Sequence, residues 1–312
     1  MVFTVGAAAT QTARNAMQRS LTERLGTLGA THVRFLYGLP FGIAFLAGVA
    51  AIVGLDGVRP TWSFVAWTAI GAAFQIAGTA LMLAAMRERA FVVAIAYVKT
   101  EPVLIAAFGF IFLGDALGAT AIAAVLIATA GVILMSLPAS PARAPVAPVP
   151  SPASAPAPAP APAPQKNTLR PVLLGIGSGA MFALSAVGFR GAILELGDGL
   201  FYVRSTVTLV TSLLLQTALL SGWLFARDRK VLIEVLRAWR PSLAAGAAGA
   251  LASQMWFLAF SLQTAAAVRT VGLIEILFAQ AASRRLFSQR TSTREVLGIA
   301  LMAVGLLLLL SA

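Results

Sequence analysis

Among the ionisable residues inside long apolar stretches of the sequence, the candidates for chemistry are Arg14, Arg34, Lys99, Glu101, Arg204 and Glu275. At the centre of a membrane helix a charged side chain costs about 2.5–3.5 kcal/mol on insertion scales, so such groups face a bundle interior or a water-filled cavity. Arg34 and Arg204 are candidate substrate ligands, because a guanidinium matches a carboxylate or phosphate through two parallel hydrogen bonds. The alternative is structural: they pair with Glu101 or Glu275, or extend to the membrane interface. Glu101 and Glu275 are candidate proton carriers, able to load and release a proton as a cavity opens to each side. Their alternative is a neutralised ion pair or a helix-end contact near Pro102.

Polar residues extend the set. Gln11, Arg14, Asn15 and Gln18 recur at i, i+3, i+4 and i+7, one continuous helix face that a spanning helix must turn toward water or other polar groups. Tyr97 and Glu101 are four apart and would share a face, whereas Lys99 would point about 200° away from Glu101 on a continuous helix. Gln75 and Gln254 could bond a solute or act as interhelical ties. Trp256, Phe257, Phe260, Phe74 and Tyr37 could line a pocket for an apolar portion of a substrate. His32 is the sole histidine and there is no cysteine, so disulfides, thiolate metal sites and multi-histidine clusters are excluded; no cofactor is expected. No Gly-x-x-x-x-Gly-Lys-Ser/Thr run is present, which argues against ATP-driven pumping by this chain.

The elements that must position these residues are helices in a bilayer. Of the 312 residues 59% are hydrophobic and 11% charged, with mean hydropathy +0.88; a soluble chain carries about 45–50% and 25%. Apolar runs fall near 2–18, 29–53, 62–85, 90–113 and 117–137, then 171–189, 199–224, 241–264, 268–287 and 295–312. Each is long enough to cross a bilayer, the first only just, and none alternates as a barrel strand would. The start does not read as a cleaved leader, because Gln11, Arg14 and Asn15 interrupt its apolar run. Between the two sets of five lies the segment 138–170, in which proline mostly alternates with alanine, and an extended polyproline linker is predicted there. The sequence thus divides into a five-helix unit 1–137, the linker 138–170 and a second unit 171–312.

With these spans, 16 of the 23 arginines and lysines fall on one side of the membrane and three, Arg59, Arg190 and Arg269, on the other. Charge therefore places the linker in the cytoplasm and both termini outside. The net charge of +12 is read as this bias and not as a nucleic-acid footprint.

The two sets echo each other. Arg34 in Thr31-His-Val-Arg-Phe35 lines up with Arg204 in Phe201-Tyr-Val-Arg-Ser205, in the second helix of each set. Glu101 lines up with Glu275, and Gly131 with Gly305, and one and the same interval separates the members of both pairs. Five helices per unit is an odd number, so the second unit would enter the membrane inverted, as in many secondary transporters, with the site where the units meet near the midplane.

Lys99-Thr-Glu-Pro-Val-Leu, the turn Leu113-Gly114-Asp115 and Gly131-Val-Ile-Leu134 resemble the fourth and fifth helices of EamA-type members of the drug/metabolite transporter superfamily. Leu273-Ile-Glu275, Gly298 to Gly305, and Arg34-Phe-Leu36 extend the resemblance over nearly the whole chain. Two departures are Ile276 where a proline would follow Glu275, and the basic turn Ser288-Gln-Arg290. The resemblance implies an all-α integral membrane protein of about ten helices in two inverted repeats, exporting amino acids, metabolites or drugs. It also favours termini inside, against the charge bias.

The expectation is a multi-pass protein of a cell membrane, a bacterial inner membrane, moving a small polar metabolite by alternating access. The expected substrate ligands are Arg34, Arg204, Gln75, Gln254, Tyr97, Trp256, Asn15 and Gln11, with Glu101 and Glu275 for proton coupling. Its partners are the small-molecule substrate and the lipid bilayer; no nucleic acid is expected, and a monomer would suffice. Two other classes compete: a membrane enzyme acting on a lipid-linked substrate, for which no catalytic His/Asp/Glu cluster is visible, and a structural or regulatory membrane protein.

Overall fold

The computed structural model describes residues 1–88, 91–136, 169–278 and 293–310; the proline-rich linker lies outside them, apart from its last two residues. Helices account for nearly all of the described residues, and no strand occurs among them. In chain order they are α1 (Val2–Leu36), α2 (Leu39–Val53), α3 (Trp62–Glu88), α4 (Phe91–Val98), α5 (Glu101–Leu113) and α6 (Ala119–Ser136). After the linker come α7 (Leu169–Glu195), α8 (Phe201–Arg227), α9 (Arg229–Arg237), α10 (Trp239–Leu262), α11 (Ala265–Val271), a 3-10 turn at Gly272–Ile274 and α12 (Thr293–Leu310). Among the described residues five segments are long and apolar enough to cross a membrane: Val2–Val53, Trp62–Glu88, Leu169–Glu195, Phe201–Arg227 and Trp239–Leu262. The chain has the helices that a multi-pass membrane protein requires.

Several boundaries differ from the sequence reading. The runs 2–18 and 29–53 are not separated by a loop. Helix α1 continues to Leu36 and turns at Gly26, whose φ of 68° suits a residue without a Cβ. Its two arms are tied together where Gln18 Nε2 donates to the carbonyl of Ala30 at 2.8 Å. The run 90–113 is two helices, broken at Lys99 and Thr100, with Pro102 in the first turn of α5. Proline lacks an N–H and tolerates a helix start but not an interior, which fixes the break here. The run 268–287 is also broken: α11 gives way to the 3-10 turn, and helix resumes over 275–278. Helix α7 begins at Leu169, inside the segment read as linker. Helix α9, in what the sequence suggested was a loop, is capped by Asp228, whose carboxylate accepts from the Val231 N–H at 3.2 Å.

The Leu113-Gly114-Asp115 turn has a clear cause. Gly114 takes the left-handed conformation (φ 67°) and its N–H returns to the carbonyls of Gly109 and Phe110, closing the end of α5. Asp115 then reaches Arg190 of α7 at 2.9 Å. Gly57 packs against Gly199, so the turns near 57, 115 and 199 gather at one end of the bundle. At the other end Arg170 meets Glu88 at 3.2 Å, and Gly29 lies against Val231 and Val235 of α9.

The units 1–137 and 171–312 interlock instead of packing as separate bodies. Helix α1 lies on α10, α3 on α7 and α6 on α12. Glycines permit the close approaches. A Cβ at Gly188 of α7 would stand 2.8 Å from the backbone nitrogen of Gly71 in α3. A Cβ at Gly131 of α6 would meet Gly298 O and Met302 N at 2.6 Å, and one at Gly305 of α12 would meet Ala128 N at 2.6 Å and Ala124 O at 2.8 Å. These contacts map onto each other, because a single interval relates 131 to 305, 124 to 298 and 128 to 302. It is the interval that relates Glu101 to Glu275.

Candidate functional site

The two helix breaks and the polar face of α1 meet in the middle of the bundle around one small hollow of about 20 Å³, room for about one water molecule. Helix α1 supplies Gln11, Arg14, Asn15 and, from its second arm, Arg34; α3 supplies Gln75; the breaks supply Lys99, Glu101, Arg269 and Glu275.

Ion pairing across the hollow is crossed between the two units. Lys99 of the first break binds Glu275 of the second. Arg269, before the second break, lies 3.3 Å from Glu101 of the first. Glu275 also accepts from Gln11 Nε2 at 2.8 Å and from Asn15 Nδ2 at 3.2 Å, so three donors from two segments, α1 and the first break, converge on one carboxylate. Arg269 lies over the Trp256 ring at 4.2 Å, and the Trp256 indole N–H donates to Gln11 Oε1 at 2.9 Å. A cation against an aromatic face gains about 0.5–2 kcal/mol, more as it is desolvated.

Arg14 and Arg34 differ from these pairs, because their hydrogen bonds go only to neutral groups, although Arg14 lies near enough to Glu275 to be attracted by its charge. Arg14 donates to Asn15 Oδ1 at 2.6 and 3.2 Å, and its Nη1 has no hydrogen-bond partner among the described residues. Arg34 donates to the hydroxyls of Thr79 at 3.0 Å and Ser253 at 3.3 Å. Both side chains run past Gly249 of α10, where a Cβ would stand 3.2 Å from Arg34 Cγ and 3.4 Å from Arg14 Cδ. All are sealed from the exterior: Arg14 is 1% exposed, Arg34 3%, Lys99 5%, Glu101 3% and Glu275 1%.

Of the ten expected ligands and proton carriers, the structure brings seven together and leaves three apart. Gln11, Asn15, Arg34, Gln75, Glu101 and Glu275 surround the hollow, with Trp256 beside it. Gln75 is also held from behind by Gln216 Nε2 at 2.7 Å. Arg204 lies elsewhere, at the end of α8, donating to the carbonyl of Gly197 at 3.0 Å. In sequence it falls about one helical turn short of the position that the interval between Glu101 and Glu275 would assign to a counterpart of Arg34. Gln254 ties α10 to α8 through the Thr206 hydroxyl at 2.9 Å. Tyr97 packs on Gly175 of α7 and does not join Glu101, because the break at 99–100 removes the i, i+4 relation. The same break brings Lys99 and Glu101 to the same hollow.

Arg269 was assigned from sequence to the outer side; it is instead a buried member of the cluster, with a side chain 10% exposed. Its place at the edge of an apolar run looked like a loop, and the only signal was its position shortly before Glu275. His32 bonds Ser221 at 3.0 Å, and Tyr37 donates to the carbonyls of Val235 and Leu236; neither touches the hollow. Among the described residues no group of three His, Cys, Asp or Glu could hold a metal.

No protein-family model matches the sequence, and no curated protein matches it. A solved crystal structure, described only as that of a protein, matches over 99% of this chain and 95% of its own, with TM-score 0.65 and 18% sequence identity. The chain has that structure's fold. At this identity nothing more carries across.

Proposed function

We propose that this chain is a secondary transporter of a small polar metabolite bearing an anionic group, such as an amino acid or organic acid, and that it works by alternating access as an exporter of the EamA type. The observation that carries the reading is the crossed pairing of Lys99 with Glu275 and Arg269 with Glu101 around a sealed polar hollow between the two units. Buried charges on broken helices at the meeting point of two units are the arrangement in which transporters bind solutes.

Ten spans in two inverted repeats make sense of the packing. Number the spans with both arms of α1 separated, with α4 and α5 joined, and with α11 joined to the helix after it. The first span then lies on the eighth and the third on the sixth, and exchanging the units converts one contact into the other. The fifth lies on the tenth through contacts that repeat at one fixed interval. In such a frame the state described is closed, and access to the hollow requires the halves to part. Parting breaks both crossed pairs at once. Glu101 and Glu275 then meet water and can exchange a proton, which would couple the movement to a proton gradient.

The test is solute flux into proteoliposomes for the wild type and for Arg34→Ala, Glu101→Gln and Glu275→Gln, with Arg204→Ala as the comparison. The expected outcome is loss of most of the flux in the first three and wild-type flux in the last. Wild-type flux in the first three removes the site. The positive-inside bias adds a topology to the proposal, with the 138–170 linker in the cytoplasm of a bacterium and both termini outside.

A further inference from the structure

Charge at the hollow does not balance. Four cations, Arg14, Arg34, Lys99 and Arg269, face two carboxylates, Glu101 and Glu275. The chain has 11 acidic residues, and every Asp and Glu falls within the described stretches. Asp115 and Glu88 are held by Arg190 and Arg170 at the ends of the bundle. Glu23, Asp56, Glu195, Asp198, Asp228 and Glu234 are exposed. The last, Glu295, belongs to the first turn of α12. No Asp or Glu lies in the segments outside the described stretches.

Helix dipoles do not make up the difference. The first break presents the C-terminus of α4 and the N-terminus of α5 to the hollow, whose partial charges of about half a unit cancel, and the C-terminus of α11 at the second adds at most about half a negative unit, short of the two-unit surplus. With Lys99 and Arg269 matched to the carboxylates, the surplus resides on Arg14 and Arg34. These are the two guanidiniums bonded only to neutral groups, they converge over Gly249, and Arg14 Nη1 is fully buried without a hydrogen-bond partner among the described residues.

We infer that the site selects compact dianions, dicarboxylates or phosphate monoesters, held by Arg14 and Arg34 together. The inference rests on the hollow being the solute site and deepens that reading. Once the halves part and the hollow widens to admit a solute, two negative charges bring the lining to neutrality, where a buried net charge would be costly. A monoanion leaves one guanidinium uncompensated, and a zwitterion leaves both. Each guanidinium can take one carboxylate or share a phosphoryl group through paired N–H donors.

The experiment titrates purified full-length protein in detergent near neutral pH, read by thermal shift and calorimetry. The probes are succinate, glycerol 3-phosphate and inorganic phosphate as dianionic species, lactate as a monoanion and alanine as a zwitterion. At least one dianion is expected to bind about tenfold or more tightly than lactate or alanine. Arg34→Gln should shrink that preference about tenfold, and Arg34→Lys should retain it. A response to succinate alone identifies dicarboxylates; a response to the two phosphates alone identifies the phosphoryl group. Lactate or alanine binding as tightly as the best dianion overturns the inference, and so does the absence of binding by every dianion. Flux separates this from the transport reading. If lactate or alanine moves in proteoliposomes while no dianion binds, the dianion inference fails and transport stands. If a dianion binds and nothing moves, the inference stands and transport fails.

Discussion

Buried ions at the hollow are stable only as a set. Lys99 and Glu275 are almost wholly removed from solvent, and their partners satisfy the carboxylate from three sides. Removing one member of a buried pair leaves an uncompensated charge, at a cost of about 3–5 kcal/mol, while replacing both by apolar groups of similar size is often neutral. Glu275→Gln is therefore expected to lower the melting temperature in detergent sharply. Lys99→Met combined with Glu275→Met should recover most of the loss, and a double-mutant cycle should give a favourable coupling. Additive effects would show that Lys99 finds its counter-charge elsewhere. Arg204→Ala should cost far less, because that guanidinium bonds one carbonyl near the bundle end.

Helices in this protein meet through glycine, and the cost of filling such a contact is set by what the new methyl group strikes. At Gly131 and Gly305 it strikes the backbone of the facing helix, which cannot rotate away. Alanine at either position is expected to destabilise by about 1–3 kcal/mol, as overpacking does. Because the two sites see equivalent atoms in the facing helices, the two losses should match. Alanine at Gly222, where nothing lies within 4 Å, should leave the melting temperature unchanged. Unequal losses at 131 and 305 would argue against equivalent packing of α6 and α12. The broken helices belong to the same scale. Pro102 marks the first break in the sequence, but Ile276 gives no such mark at the second, and the 3-10 turn there rests on packing, with Gly272 pressed against the Trp256 ring.

Across the whole molecule, the interlocking of the two units means that neither completes its own core. Segments 1–137 and 171–312, expressed alone, are expected to be degraded; expressed together as two chains they should co-purify, because α1 needs α10, α3 needs α7 and α6 needs α12. A stable isolated 1–137 would contradict this. Topology is testable at the same scale by reporter fusions in the 138–170 linker and at the C-terminus, with the linker expected in the cytoplasm.

The sequence by itself determined that the chain is helical and membrane-compatible, because apolar run length is a local property set by the bilayer. It also determined the polar face of α1, because helical periodicity puts Gln11, Arg14, Asn15 and Gln18 in line wherever the helix packs. What only the tertiary structure decided was partnership. Nothing local distinguishes Arg34, buried between α3 and α10, from Arg204, bonded near a helix end. Tyr97, Lys99 and Glu101 exchanged their expected relations once the helix broke between them. Arg269 joined the site, and Lys99 found Glu275 in the other unit, because ion pairs in a low-dielectric interior form between whichever opposite charges the packing brings within reach.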